Sequence, residues 1–364
     1  MTMNFKPPRT DRRRALGLVL GSGLATGLGL IGPGPAWGAS ARVQGAGATF
    51  PSKVYARWAA DYARQTGVDV RYQPTGSGNG IEQATRRSVD FAGSDVPLGP
   101  DALGQKRLVQ IPTCVGGVVP VVNGFEPDRL RLTGEVLAAI FAGDIQRWDD
   151  ARIATLNPGL SLPARRIVRV VRGDKSGSTE GLTRYLAGQS PAFAKQVGEG
   201  VMPAWPGEPL RAEGNDGMSA LVRATPGAIG YVSYDRVVAD GLAGVRLRNR
   251  EGRWVAASEA GFRAAILHSP LYRDGSDTAS LMDMRGPDSW PLTMTTFVLL
   301  DAAPATAAAV EPAMRFLYWC FLHGDALTQG TGFAPLPTAV QARLTARFAQ
   351  VKPRDGQFPH YLSF

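Results

Sequence analysis

The sequence predicts an α/β protein, and three observations carry that expectation. Short apolar runs alternate with amphipathic stretches of helical period. Two strand-like runs are each followed by a Gly/Ser loop and then by a helical segment. The composition is that of a packed chain: of 364 residues, 44% are hydrophobic and 20% charged, with 44 Gly and 27 Pro, which suits neither a disordered chain nor a coiled coil. That length holds roughly two ordinary domains with buried cores. Two cysteines, Cys114 and Cys320, exclude a disulfide scaffold and an all-cysteine metal site. The three histidines, His268, His323 and His360, stand far apart without ligand spacing, which argues against a zinc enzyme.

The first segment reads as an export signal over residues 1–38. Residues 1–14 are polar and basic and end in Arg12-Arg13-Arg14, and residues 15–31 are apolar and uncharged. Pro33, Pro35 and small residues follow, so that Ala36-Trp37-Gly38 or Ala39-Ser40-Ala41 would suit a signal peptidase. At 17 residues interrupted by five glycines, the apolar run is short and weak for a stable transmembrane span. The paired arginines suit the twin-arginine route, which exports folded proteins. No cysteine lies near the cleavage region for a lipid anchor. The mature chain is therefore expected to be soluble and periplasmic. In that oxidising compartment Cys114 and Cys320 either pair or remain two buried thiols, and the sequence leaves both open.

The net charge of +9 invites a nucleic-acid reading that the distribution does not support. Lys6, Arg9, Arg12, Arg13 and Arg14 face only Asp11 within the leader, and the remainder holds 35 basic against 30 acidic residues. No Lys/Arg run survives there, so no nucleic acid is expected as a partner.

The mature chain then unfolds as repeated strand–loop–helix units. Residues 51–65 read as a helix with Val54, Trp58 and Tyr62 on one face and Gly67 as its stop. Residues 68–72 alternate as a strand. The loop Thr75-Gly76-Ser77-Gly78-Asn79-Gly80 precedes a helix from about 81 to 87, and residues 89–97 read as a short buried strand entering a turn. The second unit repeats the plan: a strand over 166–172, a loop over 173–178, and a helix over 179–187. A third loop, Gly45-Ala46-Gly47-Ala48-Thr49-Phe50, precedes the first helix.

Each loop sets small or hydroxyl residues at a helix start, where unpaired backbone N–H groups and the positive end of the dipole face outward. Glycine admits close approach and serine adds a donor, which is a construction for holding an anion. Singly, such loops are ordinary N-caps and turns; three in one exported chain point to a ligand. Arg172 supplies a cation at a strand end, able to grip an oxyanion bidentately and to pair with Asp174 at the same time. Nucleotide and hydrolase signatures are missing: no G-x-x-x-x-G-K-[ST] loop, no G-x-S-x-G around Ser77 or Ser176, and no histidine near either serine.

These residues also carry a family likeness. Gly45-Ala46-Gly47-Ala48-Thr49-Phe50-Pro51 with Val54-Tyr55-Ala56-Arg57-Trp58 resembles the opening of the periplasmic phosphate-binding proteins that feed ABC-type phosphate importers. Gly76-Ser77-Gly78-Asn79-Gly80, Val89-Asp90-Phe91 with Ser94-Asp95, and Gly116-Gly117-Val118-Val119 match in order. So do Ile145-Gln146-Arg147-Trp148-Asp149, Leu156-Asn157-Pro158-Gly159-Leu160 and residues 172–178. Gly214-Asn215-Asp216-Gly217, Pro226-Gly227-Ala228-Ile229-Gly230-Tyr231 and Trp290-Pro291-Leu292-Thr293 complete the series.

The resemblance implies a two-lobed periplasmic binding protein fold (type II), with hinge-connected lobes and a central ligand cleft. Lobe I would be 39–116 plus 292–364, and lobe II 117–291. It implies capture of inorganic phosphate by a monomer without cofactor or catalysis, and delivery to the membrane permease subunits of an ABC importer. Carried over position by position, Thr49, Phe50, Ser77 and Asp95 would contact phosphate from lobe I, and Arg172, Ser176, Gly177 and Ser178 from lobe II. Three positions depart from the family's habit: Ser178 stands for a frequent threonine, Gly78 for a serine and Lys175 for a glycine.

Asp95 beside an anion makes sense if the ligand carries a proton. Hydrogen phosphate can donate to a carboxylate, whereas sulfate at neutral pH has no proton to give and would face an unpaired like charge. Without the likeness, Asp95 would read as a turn-capping residue before Val96-Pro97. Two alternatives stand beside phosphate capture. One is a secreted phosphatase of the same fold using Ser77 or Ser176, for which the sequence offers no neighbouring base. The other is a binding protein for another protonated oxyanion such as arsenate.

Overall fold

The computed structural model describes residues 42–363, so the expected leader lies outside the described residues. In chain order the elements are β1 (Arg42–Gly47), α1 (Ser52–Thr66), β2 (Asp69–Pro74), α2 (Ser77–Arg86), β3 (Phe91–Ser94), α3 (Pro100–Lys106), β4 (Leu108–Val122), β5 (Arg131–Leu132), α4 (Gly134–Ala142) and α5 (Ala151–Leu156). There follow β6 (Val168–Arg172), α6 (Gly177–Gln189), α7 (Pro191–Gln196), β7 (Leu210–Ala212), α8 (Gly214–Ala224), β8 (Ala228–Ser233), α9 (Tyr234–Asp240), β9 (Ala243–Gly244), β10 (Arg246–Arg248) and β11 (Trp254–Val255). The chain ends with α10 (Glu259–Leu267), α11 (Pro270–Arg273), β12 (Thr293–Asp301), α12 (Ala307–Thr328), β13 (Phe333–Pro335) and α13 (Thr338–Phe348).

The expected α/β class holds, and the strands run in the path β2-β1-β3-β12-β4-β8-β6-β7. Parallel pairs β1–β2 and β1–β3 form one end of this path, and parallel pairs β6–β8 and β6–β7 the other. Antiparallel β12 and β4 lie between them. β4 is buried along its whole length and changes partner midway: residues 108–117 pair with β12, and residues 118–122 with β8. The return passage runs beside it. The Val118 N–H donates to the Leu292 carbonyl at 3.0 Å, and Trp290 Nε1 donates to the Val118 carbonyl at 3.0 Å. Two adjacent crossings joining two halves of a sheet are the structural material of a hinge.

Several matched motifs turn out to hold the frame. Trp148 is fully buried and its indole N–H donates to the Gly227 carbonyl at 3.0 Å, tying together two of the motif segments. α1 buries Val54, Tyr55, Trp58, Ala59 and Tyr62 and stops at Gly67, whose φ of 75° is the left-handed cap glycine favours. Both thiols are free and buried, Cys114 in β4 and Cys320 in α12. No helix among the described residues is long and apolar enough to cross a membrane.

The boundaries differ from expectation where glycine is dense. α2 begins at Ser77 rather than near 81, and α6 at Gly177 rather than 179. Residues 45–47, expected as loop, are the end of β1. Low intrinsic helix propensity misleads here because packing overrides it. A side chain at Gly80 would come within 2.6 Å of the Gly93 carbonyl and 2.7 Å of Gly47 Cα, so glycine lets α2 lie directly on β1 and β3.

Candidate functional site

Three chain reversals meet at one place: the turn after β1, the start of α2, and the start of α6. Arg172, the last residue of β6, occupies the centre. Its side chain is 1% exposed, a position no guanidinium takes without partners. Nε donates to Asp174 Oδ1 at 2.6 Å and Nη2 to Asp174 Oδ2, a bidentate pair. Nη2 also donates to Thr49 Oγ1 at 3.3 Å, reaching from one half of the sheet to the other. The arginine's backbone is held as firmly, since its N–H donates to the Tyr231 hydroxyl at 3.1 Å, which is bonded to Thr179 Oγ1 at 2.6 Å.

Thr49 accepts a second hydrogen bond, from Asn215 Nδ2 at 3.1 Å, while Asn215 Oδ1 accepts from the Ser233 N–H at 2.9 Å. A hydroxyl that accepts twice keeps its single proton for a third partner. Phe50, next in the chain, buries its ring edge-on to Phe333 at a centroid distance of 4.9 Å, which anchors the turn and its backbone N–H at the entry to α1.

Ser77 and Asp95 form a second unit. Ser77 Oγ donates to Asp95 Oδ2 at 3.2 Å and accepts from the Asp95 N–H at 3.1 Å. Thr296 Oγ1 donates to Asp95 Oδ1 at 2.7 Å. Thr296 sits where the pairing of β12 with β4 slips register, a bulge beside the site. Asp95 is 3% exposed, and burial raises its carboxyl pKa to about 6 against the lowering effects of Thr296, Ser77 and the Arg172 charge.

The first turn of α6 closes on this pair. Ser176 caps the helix by accepting from the Thr179 N–H at 3.1 Å. A side chain at Gly177 would lie 2.4 Å from Ser77 Oγ and 2.7 Å from Asp95 Cβ, so only glycine allows the contact. Ser178 Oγ is buried and has no hydrogen-bond partner in the protein. The two loops also touch through their backbones: the Gly78 N–H donates to the Lys175 carbonyl at 3.1 Å. Lys175, one of the unusual positions, forms an ion pair with Glu82 of α2 across the same gap.

Seven of the eight expected residues thus fall into three groups, with Phe50 outside them. Arg172 meets Thr49; Ser77 and Asp95 meet Gly177; Ser176 and Ser178 share the α6 start, while Phe50 contributes position. The arrangement offers positive charge, hydroxyl donors and one carboxylate acceptor, which together suit a small anion that carries a proton. Among the described residues no group of three or more His, Cys, Asp or Glu side chains is placed to hold a metal. Sequence reasoning overlooked Asn215, Tyr231 and Thr296. The first two lie inside motifs already noted, whereas a threonine in an apolar strand gives no signal of its own. It also found no base near Ser77, and the fold supplies one candidate, Asp95.

Comparison with known proteins shows the family and the fold. Residues 34–322 match the family model described as a PBP superfamily domain. The phosphate-binding protein PstS of Haemophilus influenzae is 37% identical over 309 residues, covering 84% of this chain and 92% of that one. The phosphate-binding protein PstS of Pasteurella multocida is 38% identical over 318 residues, covering 86% and 92%. In structure, a phosphate-binding protein from Stenotrophomonas maltophilia superposes with a TM-score of 0.66 at 21% identity, over 85% of this chain and 94% of that one. The high-affinity periplasmic phosphate-binding protein PfluDING, bound with phosphate, gives 0.66 at 22% identity over 84% and 93%. At that identity the two structures speak for the two-lobed fold alone.

Proposed function

The chain belongs to the PBP superfamily and, within it, to the family of the PstS phosphate-binding proteins, and from that premise we propose that it captures inorganic phosphate outside the cytoplasmic membrane and hands it to the permease subunits of an ABC importer. The observation that carries this reading is the buried Arg172 guanidinium, paired with Asp174 and bonded across the molecule to Thr49. A cation held this way cannot relax to solvent, and it draws the two lobes onto an anion between them.

On this reading lobe I comprises 39–116 plus 292–364 and lobe II 117–291, a division supported by the change of partner in β4. Thr49 and Phe50 donate a hydroxyl and a backbone N–H, and Ser77 and Asp95 complete lobe I's share. Arg172, Ser176, Gly177 and Ser178 supply the donors of lobe II. The unpartnered Ser178 hydroxyl finds its partner in the ligand, because a buried donor left unpaired is costly. Asp95 accepts the ligand's proton and excludes sulfate. The protein acts as a monomer, with residues 1–38 as a cleaved export leader.

A phosphatase reading has one specific observation in its favour, the Asp95 carboxylate 3.2 Å from Ser77 Oγ, where a base would stand. Binding without turnover is the better reading, because the relatives that show the family are named phosphate-binding proteins. Isothermal calorimetry tests the proposal. Phosphate is expected to bind tightly and sulfate weakly or not at all, with Asp95→Asn narrowing the gap; equal affinity for the two anions would sink it. Turnover of p-nitrophenyl phosphate that disappears in Ser77→Ala would favour the enzyme. Arsenate, protonated like phosphate, belongs in the same titration series.

A further inference from the structure

The motif Leu156-Asn157-Pro158-Gly159-Leu160 plays no part in the cleft, yet it borders a cavity of its own. This cavity, of about 190 Å³, is lined by Asp128, Arg129, Arg131, Asn157, Gly159 and Arg246, none of which belongs to the phosphate site. Asn157 is buried and pins the strand beside it: Oδ1 accepts from the Arg131 N–H at 2.8 Å, and Nδ2 donates to the Arg131 carbonyl at 2.9 Å.

The charge arrangement there is unusual. Arg131 of β5 and Arg246 of β10 are register partners on adjacent parallel strands, and both face the cavity. Like charges set directly opposite on neighbouring strands repel. The arginines of the next segment are neutralised, Arg147 by Asp149 and Arg152 by Asp150. Among the described residues, by contrast, no carboxylate lies within ion-pair distance of Arg129, Arg131 or Arg246. Arg131 stands 5.9 Å over the Trp254 ring, which orients its guanidinium without cancelling its charge. Arg246 Nε is buried with no hydrogen-bond partner. Three guanidiniums against the single carboxylate of Asp128 leave the wall positive, in a space several times a water's share of liquid volume.

We infer that this cavity is a second anion site, separate from the cleft, that takes a small multivalent oxyanion of the diphosphate class. Such a ligand would lie between Arg131 and Arg246 and relieve their repulsion.

The test is a calorimetric titration of pyrophosphate, in metal-free buffer, into protein whose cleft is already saturated with phosphate. One further site is expected. Its affinity should fall at least tenfold in Arg246→Gln and in Arg131→Gln while phosphate binding at the cleft stays within twofold. Asp128→Asn should strengthen it severalfold by removing the opposing charge. Asp128 has a φ of 55°, which asparagine also tolerates, so this variant stays informative even if an arginine variant does not fold. No pyrophosphate heat at millimolar concentration, heat that reports only displacement of cleft phosphate, binding unchanged in Arg246→Gln, or weaker binding in Asp128→Asn would each overturn the inference.

Discussion

The starts of α2 and α6 look alike in sequence, each a run of Ser and Gly entering a helix, but they do different work. At α2 the cap is Gly76, with a φ of 95° and no side-chain cap, and the Ser77 hydroxyl is spent on Asp95. At α6 Ser176 caps the helix, Gly177 lies flush against Ser77 and Asp95, and Ser178 keeps a buried hydroxyl without a partner in the protein. The first loop holds, through Ser77, the Asp95 carboxylate that follows β3, whose burial is only partly compensated. The second presents donors, with Arg172 just upstream. On the proposed reading, attraction for an anion resides on one side of the cleft, and the choice among anions on the other.

Removing the cation should have the largest effect. Arg172→Ala leaves the Asp174 carboxylate unpaired and deletes the charge that faces the ligand, with a loss of about 3–5 kcal/mol expected for breaking a buried pair. Phosphate affinity measured by calorimetry should drop at least a hundredfold, and Arg172→Lys should recover little of it because an ammonium lacks the fork. Retention of near-normal affinity in Arg172→Ala would place the attraction elsewhere.

The carboxylate side is probed without ligand, through pH. Burial lifts the Asp95 carboxyl from 3.8 to about 6, so the folded state binds its proton more tightly than the unfolded chain does. Its contribution therefore favours folding most below 3.8, declines as pH rises toward 6, and is flat above that. Asp95→Asn removes this penalty, and the variant should gain on the wild type by up to about 3 kcal/mol between pH 4 and 6.5. Melting curves in phosphate-free buffer across that range measure it; a difference that does not change with pH would mean the carboxylate is not held in this way.

Gly177→Ala tests whether the two loops must meet. A methyl group 2.4 Å from Ser77 Oγ overpacks the closed arrangement, at about 1–3 kcal/mol. Phosphate should bind roughly tenfold to a hundredfold more weakly. Unchanged affinity would show that binding does not need this contact.

The smallest expected effect is at Ser178. Ser178→Ala removes one donor, about 0.5–1.5 kcal/mol or up to roughly tenfold in phosphate affinity. The ligand-free protein should melt no earlier than wild type, because the lost hydroxyl has no partner to abandon. A clear fall in melting temperature would assign the hydroxyl a structural role instead.

Much of this could be read along the chain because its signals are local. Gly67 ends α1 as its left-handed preference dictates, and Arg172 with Asp174 two residues on already suggests a guanidinium pinned by a neighbouring carboxylate. Glycine-dense starts were misjudged by two to four residues, since the Gly47–Gly80–Gly93 approach rewards small residues that propensity penalises. Thr296 was beyond reach: it lies 201 residues from the carboxylate to which it donates, at a register slip in β12.

By itself the sequence determined the α/β class, the Ser/Gly-rich entries to α2 and α6 and the pairing of Arg172 with Asp174, because capping, periodicity and charge act over a few residues. The tertiary structure decided which loops face each other, that Asn215 and Arg172 share Thr49, and that Arg131 stands beside Arg246. Those juxtapositions come from strand order and register, which depend on pairings between distant segments and leave no mark on either segment alone.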